Sequence, residues 1–158
     1  MKRLIGIDIG GTKISVCLGD EKSTIVASKR IKTQPLKGAK NGLPAIVREI
    51  EQLLDEQKVL IAQIAGIGIA SPGPISSKAG LIISPPNLKG WENTRIVEYF
   101  EHHFHKKVCM NNDAGLAEYE FGASKETPNL IYLTTSTGMG GGAIVNGQIR
   151  SGCFRHRR

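Results

Sequence analysis

The sequence predicts an α/β fold built on a mixed sheet with packed helices, and three observations predict it. Short apolar runs of strand length recur at 4–9, 14–18 and 64–70. Residues 43–57 place Leu43, Ile46, Val47, Ile50, Leu53 and Leu54 at helical spacing, with Glu49, Glu51, Asp55 and Glu56 between them. The strand, glycine-rich turn, strand pattern that opens the chain also returns about 120 residues later.

The opening hairpin is the stretch around which the rest is organised. Its first strand closes at Asp8-Ile9, turns at Gly10-Gly11-Thr12-Lys13 and continues into Ile14-Ser15-Val16-Cys17-Leu18. Two residues without a Cβ let main-chain N–H groups approach an anion, while the Asp8 carboxylate stands beside them for a metal ion. That combination suits a nucleotide phosphate with Mg²⁺. The alternative is a plain hairpin whose glycines only supply positive φ. A second copy favours the phosphate reading: an apolar strand at 130–135, the turn Ser136-Thr137-Gly138-Met139-Gly140-Gly141-Gly142, and a strand at 143–145.

A third strand is expected at 24–28, giving an antiparallel meander, followed by a loop from 32 to 42 with Pro35 and Gly38. The helix at 43–57 packs one face on the sheet. The strand at 64–70 is apolar or glycine throughout, which predicts burial on both faces. Ser71-Pro72-Gly73-Pro74 stops it at its carboxyl end, where open α/β sheets place ligands, although an ordinary Pro-Gly turn also fits. A short strand at 80–84 leads into Pro85-Pro86-Asn87-Leu88-Lys89-Gly90-Trp91, a rigid loop able to lie over a pocket. Asn93 or Thr94 is the expected cap of a helix running to about His105, with Ile96, Val97, Phe100 and Phe104 inward. His102, His103 and His105 near its end suit the helix dipole better than a metal site. A strand at 107–110 then delivers Asn111-Asn112-Asp113-Ala114 to its carboxyl end, ahead of a helix at 114–121. Asp113 beside an amide is placed to accept a proton from a hydroxyl, or simply to cap that helix.

The whole-chain numbers exclude several classes. At 158 residues with 40% hydrophobic content the chain fits one ordinary domain, and its apolar runs fall well short of a membrane span. No secretory signal is read, because Asp8 interrupts the first apolar run; a cytoplasmic protein is expected. The formal charge of +7 is mostly local: removing Arg150, Arg155, Arg157 and Arg158 from 21 Lys+Arg leaves 17 against 14 Asp+Glu. Neither a nucleic-acid nor a membrane partner is therefore expected. Cys17, Cys109 and Cys153 are odd in number and widely spaced, without a CxxC, so reduced thiols are the simple reading.

Four motifs in order, DIGGTK at 8–13, SPGP at 71–74, NNDA at 111–114 and STGMGGG at 136–142, resemble those of the ROK family of sugar kinases, most closely its bacterial glucokinase branch. The resemblance covers 4 to about 152. It implies the N-terminal lobe of an actin-like ATPase (ribonuclease H-like) fold over 1–124, the first hairpin of an incomplete second lobe over 125–152, and a basic tail at 153–158 outside the family pattern. It implies ATP and Mg²⁺ as cofactors and a hexose as substrate, with glucose preferred and fructose, mannose, allose or an N-acetylated amino sugar as alternatives. Asp8, Gly10, Gly11, Thr12 and Lys13 would form the first phosphate motif, Asp8 serving Mg²⁺ through the phosphates. Thr137, Gly138, Gly140 and Gly141 would form the second. Asn112 would hold a sugar hydroxyl, Asp113 would be the catalytic base, and Gly73 and Asn87 would line the sugar pocket. No Walker motif competes.

The family's repressors carry an added N-terminal DNA-binding domain, and with the first hairpin at residue 4 that role is not expected. Family members are roughly twice this length. Gly147 and Gly152 fit the segment after the second hairpin, but Cys153 to Arg158 stand where a Glu-x-Gly-His sugar site should begin, and the zinc motif of the family is absent. A truncated product, its last six residues read in a shifted frame, is the expectation, with little kinase activity from residues 1–158 alone. A non-catalytic sugar-binding or interaction fragment is the alternative. Homodimers are common in the family and are an implied partner state.

Overall fold

The computed structural model describes residues 2–22, 24–112, 129–135, 139–146 and 148–150, and divides into a unit of residues 1–111 and a unit of residues 112–158. In the first unit, β1 (Arg3–Ile9), β2 (Lys13–Asp20) and β3 (Ile25–Lys32) form the expected meander. The third strand runs four residues beyond the expected end, its last residues pairing with Lys13 and Ile14. β4 (Ile64–Ser71) adds parallel to β1, and β8 (Val108–Asn112) closes a five-stranded mixed sheet of order β3-β2-β1-β4-β8.

Alternation decides which face is covered. Ile5, Ile7 and Ile9 of β1 and Ile14, Val16 and Leu18 of β2 are buried, and they share one core with Leu43, Ile46, Val47, Ile50, Leu53 and Leu54 of α1 (Ala39–Glu56). Each such side chain contributes on the order of 1.5–3 kcal/mol on burial. The expectation that β4 is buried on both faces fails. Ile64, Ile67 and Ile69 are buried, but Ala65 and Gly68 are exposed. Residues 64–70 carry no polar side chain because the positions that are not buried are filled by alanine and glycine. A register shift opposite Arg3 and Leu4 brings both Ile64 and Ile67 to the covered face.

α1 begins four residues before the expected Leu43 and takes in Pro44. The proline's missing N–H costs one bond near the helix start, where tertiary anchors compensate. The Ala39 N–H donates to the Gly90 carbonyl at 2.8 Å, and the buried Trp91 ring lies against Gly42. Within the expected 32–42 loop, residues 34–36 also form a short 3-10 turn.

Between β4 and β8, three two-residue strands form a small separate sheet: β6 (Leu81–Ile82), within the strand expected at 80–84, pairs with β5 (Ile75–Ser76) and β7 (Thr94–Arg95), which are too short for periodicity to reveal. α2 (Ile96–Phe104) follows, with Ile96, Phe100 and Phe104 buried. Neither expected cap is used. Asn93 adopts φ 55°, and the Thr94 hydroxyl donates back to the Trp91 carbonyl at 2.7 Å. His103 meets Glu51 at 3.2 Å.

In the second unit, β9 (Leu130–Thr135), β10 (Met139–Val145) and β11 (Gln148–Arg150) form an antiparallel sheet of order β11-β10-β9. The glycine-rich turn is shorter than expected, since residues 139–142 already belong to β10. The expected hairpin has a third strand. The helix expected at 114–121 lies outside the described residues.

Candidate functional site

The β1–β2 tip is built by a small set of main-chain bonds. Asp8, exposed at the end of β1, is opposite Ser15 in β2 and Ala70 in β4. The Gly10 N–H donates to the Lys13 carbonyl at 2.9 Å, closing the turn. Among the described residues no acceptor takes the N–H of Gly11 or Thr12. Two amide donors and a carboxylate thus occupy one tip, the chemistry a phosphate with a hard cation requires.

The glycines are not there for positive φ. Among the described glycines only Gly38, Gly80 and Gly90 have it. Gly10 and Gly11 are required by close approach instead: a Cβ on Gly10 would lie 2.9 Å from the Lys13 carbonyl oxygen, and one on Gly11 would lie 2.7 Å from that of Asn87. The 85–91 loop therefore backs the hairpin tip. It is fixed at its far end by Gly90 against Gly38 and by Trp91 against Gly42.

The structure brings Asp8, Gly10, Gly11, Thr12 and Lys13 to one turn and places Asn87, exposed, against it. At the carboxyl end of β4, Ser71 is buried and Gly73 is exposed. A Cβ on Gly73 would meet nothing nearer than the Ile75 nitrogen at 3.9 Å, so nothing in its described surroundings demands a glycine. Asn112 ends β8. Gly140 and Gly141 lie in β10, opposite Thr134 and Leu133. Asp113, Thr137 and Gly138 lie outside the described residues.

Sequence reasoning missed Thr33. Placed in the expected 32–42 loop, it is 6% exposed; its hydroxyl donates to the Gly10 carbonyl at 2.7 Å and its N–H to the Thr12 carbonyl at 3.0 Å. The available signal was a hydroxyl residue just past the strand that pairs with β2. Midway along the hairpin, Cys17 faces Gly6; burial pushes its thiol pKa up, the Gly6 main-chain bond pulls it down and the Asp8 charge raises it further. A separate pocket of about 490 Å³, lined by residues 77–80 and by Glu98, Glu101 and Cys109, contains none of the predicted site residues.

The ROK family profile matches residues 4–155. Glucokinase from Thermotoga maritima is 34% identical over 154 residues, which are 95% of this chain and 47% of the relative. Beta-glucoside kinase from Listeria monocytogenes is 29% identical over 160 residues, 97% of this chain and 50% of that protein. The crystal structure of a ROK family glucokinase from Streptomyces griseus in complex with glucose and AMPPNP superposes with a TM-score of 0.80 at 29% identity, covering 95% of this chain and 46% of that one. The chain spans about half the length of the curated relatives it matches.

Proposed function

The chain belongs to the ROK family, and on that premise we propose that it supplies the phosphate hairpin and the sugar end of an ATP-dependent hexose kinase, by preference one that converts glucose to glucose 6-phosphate. The observation that carries this reading is the hairpin tip, where the Gly11 and Thr12 amides and the Asp8 carboxylate share one turn. The carboxylate oxygens of Asp8 suit Mg²⁺, which when bound with ATP supplies charge neutralisation at the phosphates.

Gly11, Thr12 and Lys13 receive phosphate oxygens through main-chain donors, with Gly10 closing the turn that presents them, and Thr137, Gly138, Gly140 and Gly141 provide the second such contact. Asn112 orients a sugar hydroxyl, and Asp113 takes its proton as the oxygen attacks the γ-phosphate in line. Gly73 and Asn87 line the sugar pocket. The open space beside Gly73 supports that role, since a side chain there would occupy room rather than collide with the protein. Relatives named glucokinase and beta-glucoside kinase support a hexose or a hexoside as acceptor. A cytoplasmic location accompanies this reading; among the described residues no helix is long and apolar enough to cross a membrane.

The test is ADP release by the purified chain with Mg·ATP and a panel of glucose, mannose, fructose, allose and an N-acetylated amino sugar, beside Asp113→Asn. Release that requires glucose and disappears in the variant supports the kinase reading in full. Sugar binding by the folded chain without ADP release reduces it to a non-catalytic sugar-binding role. A folded chain that binds neither sugar nor nucleotide overturns the proposal.

A further inference from the structure

Thr33 makes two hydrogen bonds to the hairpin tip, one on each side of Gly11. Its hydroxyl, on a side chain removed from solvent, donates to the Gly10 carbonyl, and its N–H donates to the Thr12 carbonyl. A trans peptide is planar, with C=O and N–H pointing in opposite directions. Drawing the Gly10 oxygen toward Thr33 therefore aims the Gly11 N–H away from it, and drawing the Thr12 oxygen does the same for the Lys13 N–H. The Asn87 carbonyl and Cβ stand where a Gly11 side chain would be. The turn is thus held by a hydrogen-bonding residue and by a packing contact before any ligand arrives.

We propose that Thr33 is a positioning residue of the phosphate turn, presetting the direction of the Gly11 and Lys13 amides so that they receive an oxyanion without rearrangement. The inference rests on the reading of residues 10–13 as a phosphate site and adds a residue outside the motif to it. Thr33 touches neither phosphate nor sugar. Its contribution is the orientation of groups that do, and preorganised donors lose less on binding than mobile ones.

The experiment is an NMR titration of the 158-residue chain with Mg·AMPPNP, read at the amides of residues 10–13 and at the Thr33 amide, for wild type, Thr33→Val and Thr33→Ser. In wild type the tip amides and the Thr33 amide shift together. Thr33→Val, folded by circular dichroism, binds about tenfold more weakly, the scale of one lost hydrogen bond to a main-chain carbonyl. Its Gly11 and Lys13 amides also exchange faster without ligand. Thr33→Ser keeps the hydroxyl and stays within about twofold of wild type. Wild-type affinity in Thr33→Val, or equal weakening in Thr33→Val and Thr33→Ser, overturns the inference and leaves the phosphate reading standing. Tip amides that do not respond to Mg·AMPPNP in wild type overturn both. If Thr33→Val does not fold, a stationary Thr33 amide in the wild-type titration overturns the inference, and a Thr33 amide that moves with the tip supports it.

Discussion

Gly11 and Asn87 are packed against each other across 76 positions of sequence, so closely that a Cβ on Gly11 would stand 2.7 Å from the Asn87 carbonyl oxygen and 3.2 Å from its Cβ. The nearer obstacle is main chain, and no rotamer of Asn87 removes it. Gly11→Ala should therefore push the tip and the 85–91 loop apart, at the roughly 1–3 kcal/mol that overpacking costs. Urea unfolding and Mg·AMPPNP titration measure the two consequences. Adding Asn87→Gly relieves only the Cβ contact and should not restore either; full restoration would place the clash in the side chain instead.

Gly42 poses a contest between two effects of one methyl group. Inside a helix, Gly→Ala gains up to about 1 kcal/mol from propensity. Here the added Cβ would lie 2.8 Å from Cη2 of Trp91 and nearer still to Cζ2, and the indole is only 1% exposed. Displacing a buried ring costs about 1–3 kcal/mol, so Gly42→Ala should be net destabilising. Trp91 is the only tryptophan, and its fluorescence reports the urea transition directly. A midpoint at or above wild type would show that the ring has room to yield.

The elements legible in the sequence were those with an extended apolar pattern. β1 and β2 were legible as apolar runs flanking a glycine turn and the body of α1 as apolar residues at helical spacing, whereas the alternation that buries every second residue of β1 and β2 emerges only in the structure. What was not legible depended on contacts distant in sequence. Nothing local to 39–42 indicates a helix start ahead of Pro44; the Ala39 to Gly90 bond and the Trp91 ring supply it. The two-residue strands β5 and β7 are shorter than any period, and their pairing with β6, the strand expected at 80–84, alone defines them. At the candidate site, the motif glycines were legible as a turn but not their reason, because close approach to Asn87 is tertiary. Thr33 was hidden for the same cause: its partners are 21 and 23 residues away.

The two described cysteines should differ in reactivity. Cys109 is exposed on β8, whereas Cys17 is part-buried and its thiol pKa is raised, chiefly by burial. The thiolate is the nucleophile, so a raised pKa and restricted access act in the same direction. Iodoacetamide at pH 8 followed by peptide mass mapping should label Cys109 well before Cys17. Equal rates would mean that the sheet face bearing Gly6 and Cys17 is more open than the structure has it. Gly6→Ala offers a check on packing there, since its Cβ would approach the Cys17 sulfur at 2.6 Å and should lower stability.

Asp20 gives stability a dependence on pH. Only 8% exposed, its carboxylate accepts the Lys22 N–H at 2.9 Å and the Thr24 N–H at 3.0 Å, holding the turn between β2 and β3. The Thr24 main-chain bond is the largest cause of a pKa lowered from the ordinary 3.8, opposed by desolvation and assisted by the Lys22 bond and the Arg3 charge. A group whose folded pKa is depressed stabilises the fold above its unfolded value and loses that contribution as pH falls through the folded one. Asp20→Asn should therefore unfold at lower temperature than wild type at pH 7. The gap should shrink as the pH is taken below 3.8 and close only below the lowered folded-state pKa, where both proteins carry a neutral group at this position. Paired melting curves at pH 7 and at progressively lower pH measure this, and a gap constant with pH would assign the effect of Asp20 to its shape rather than to its charge.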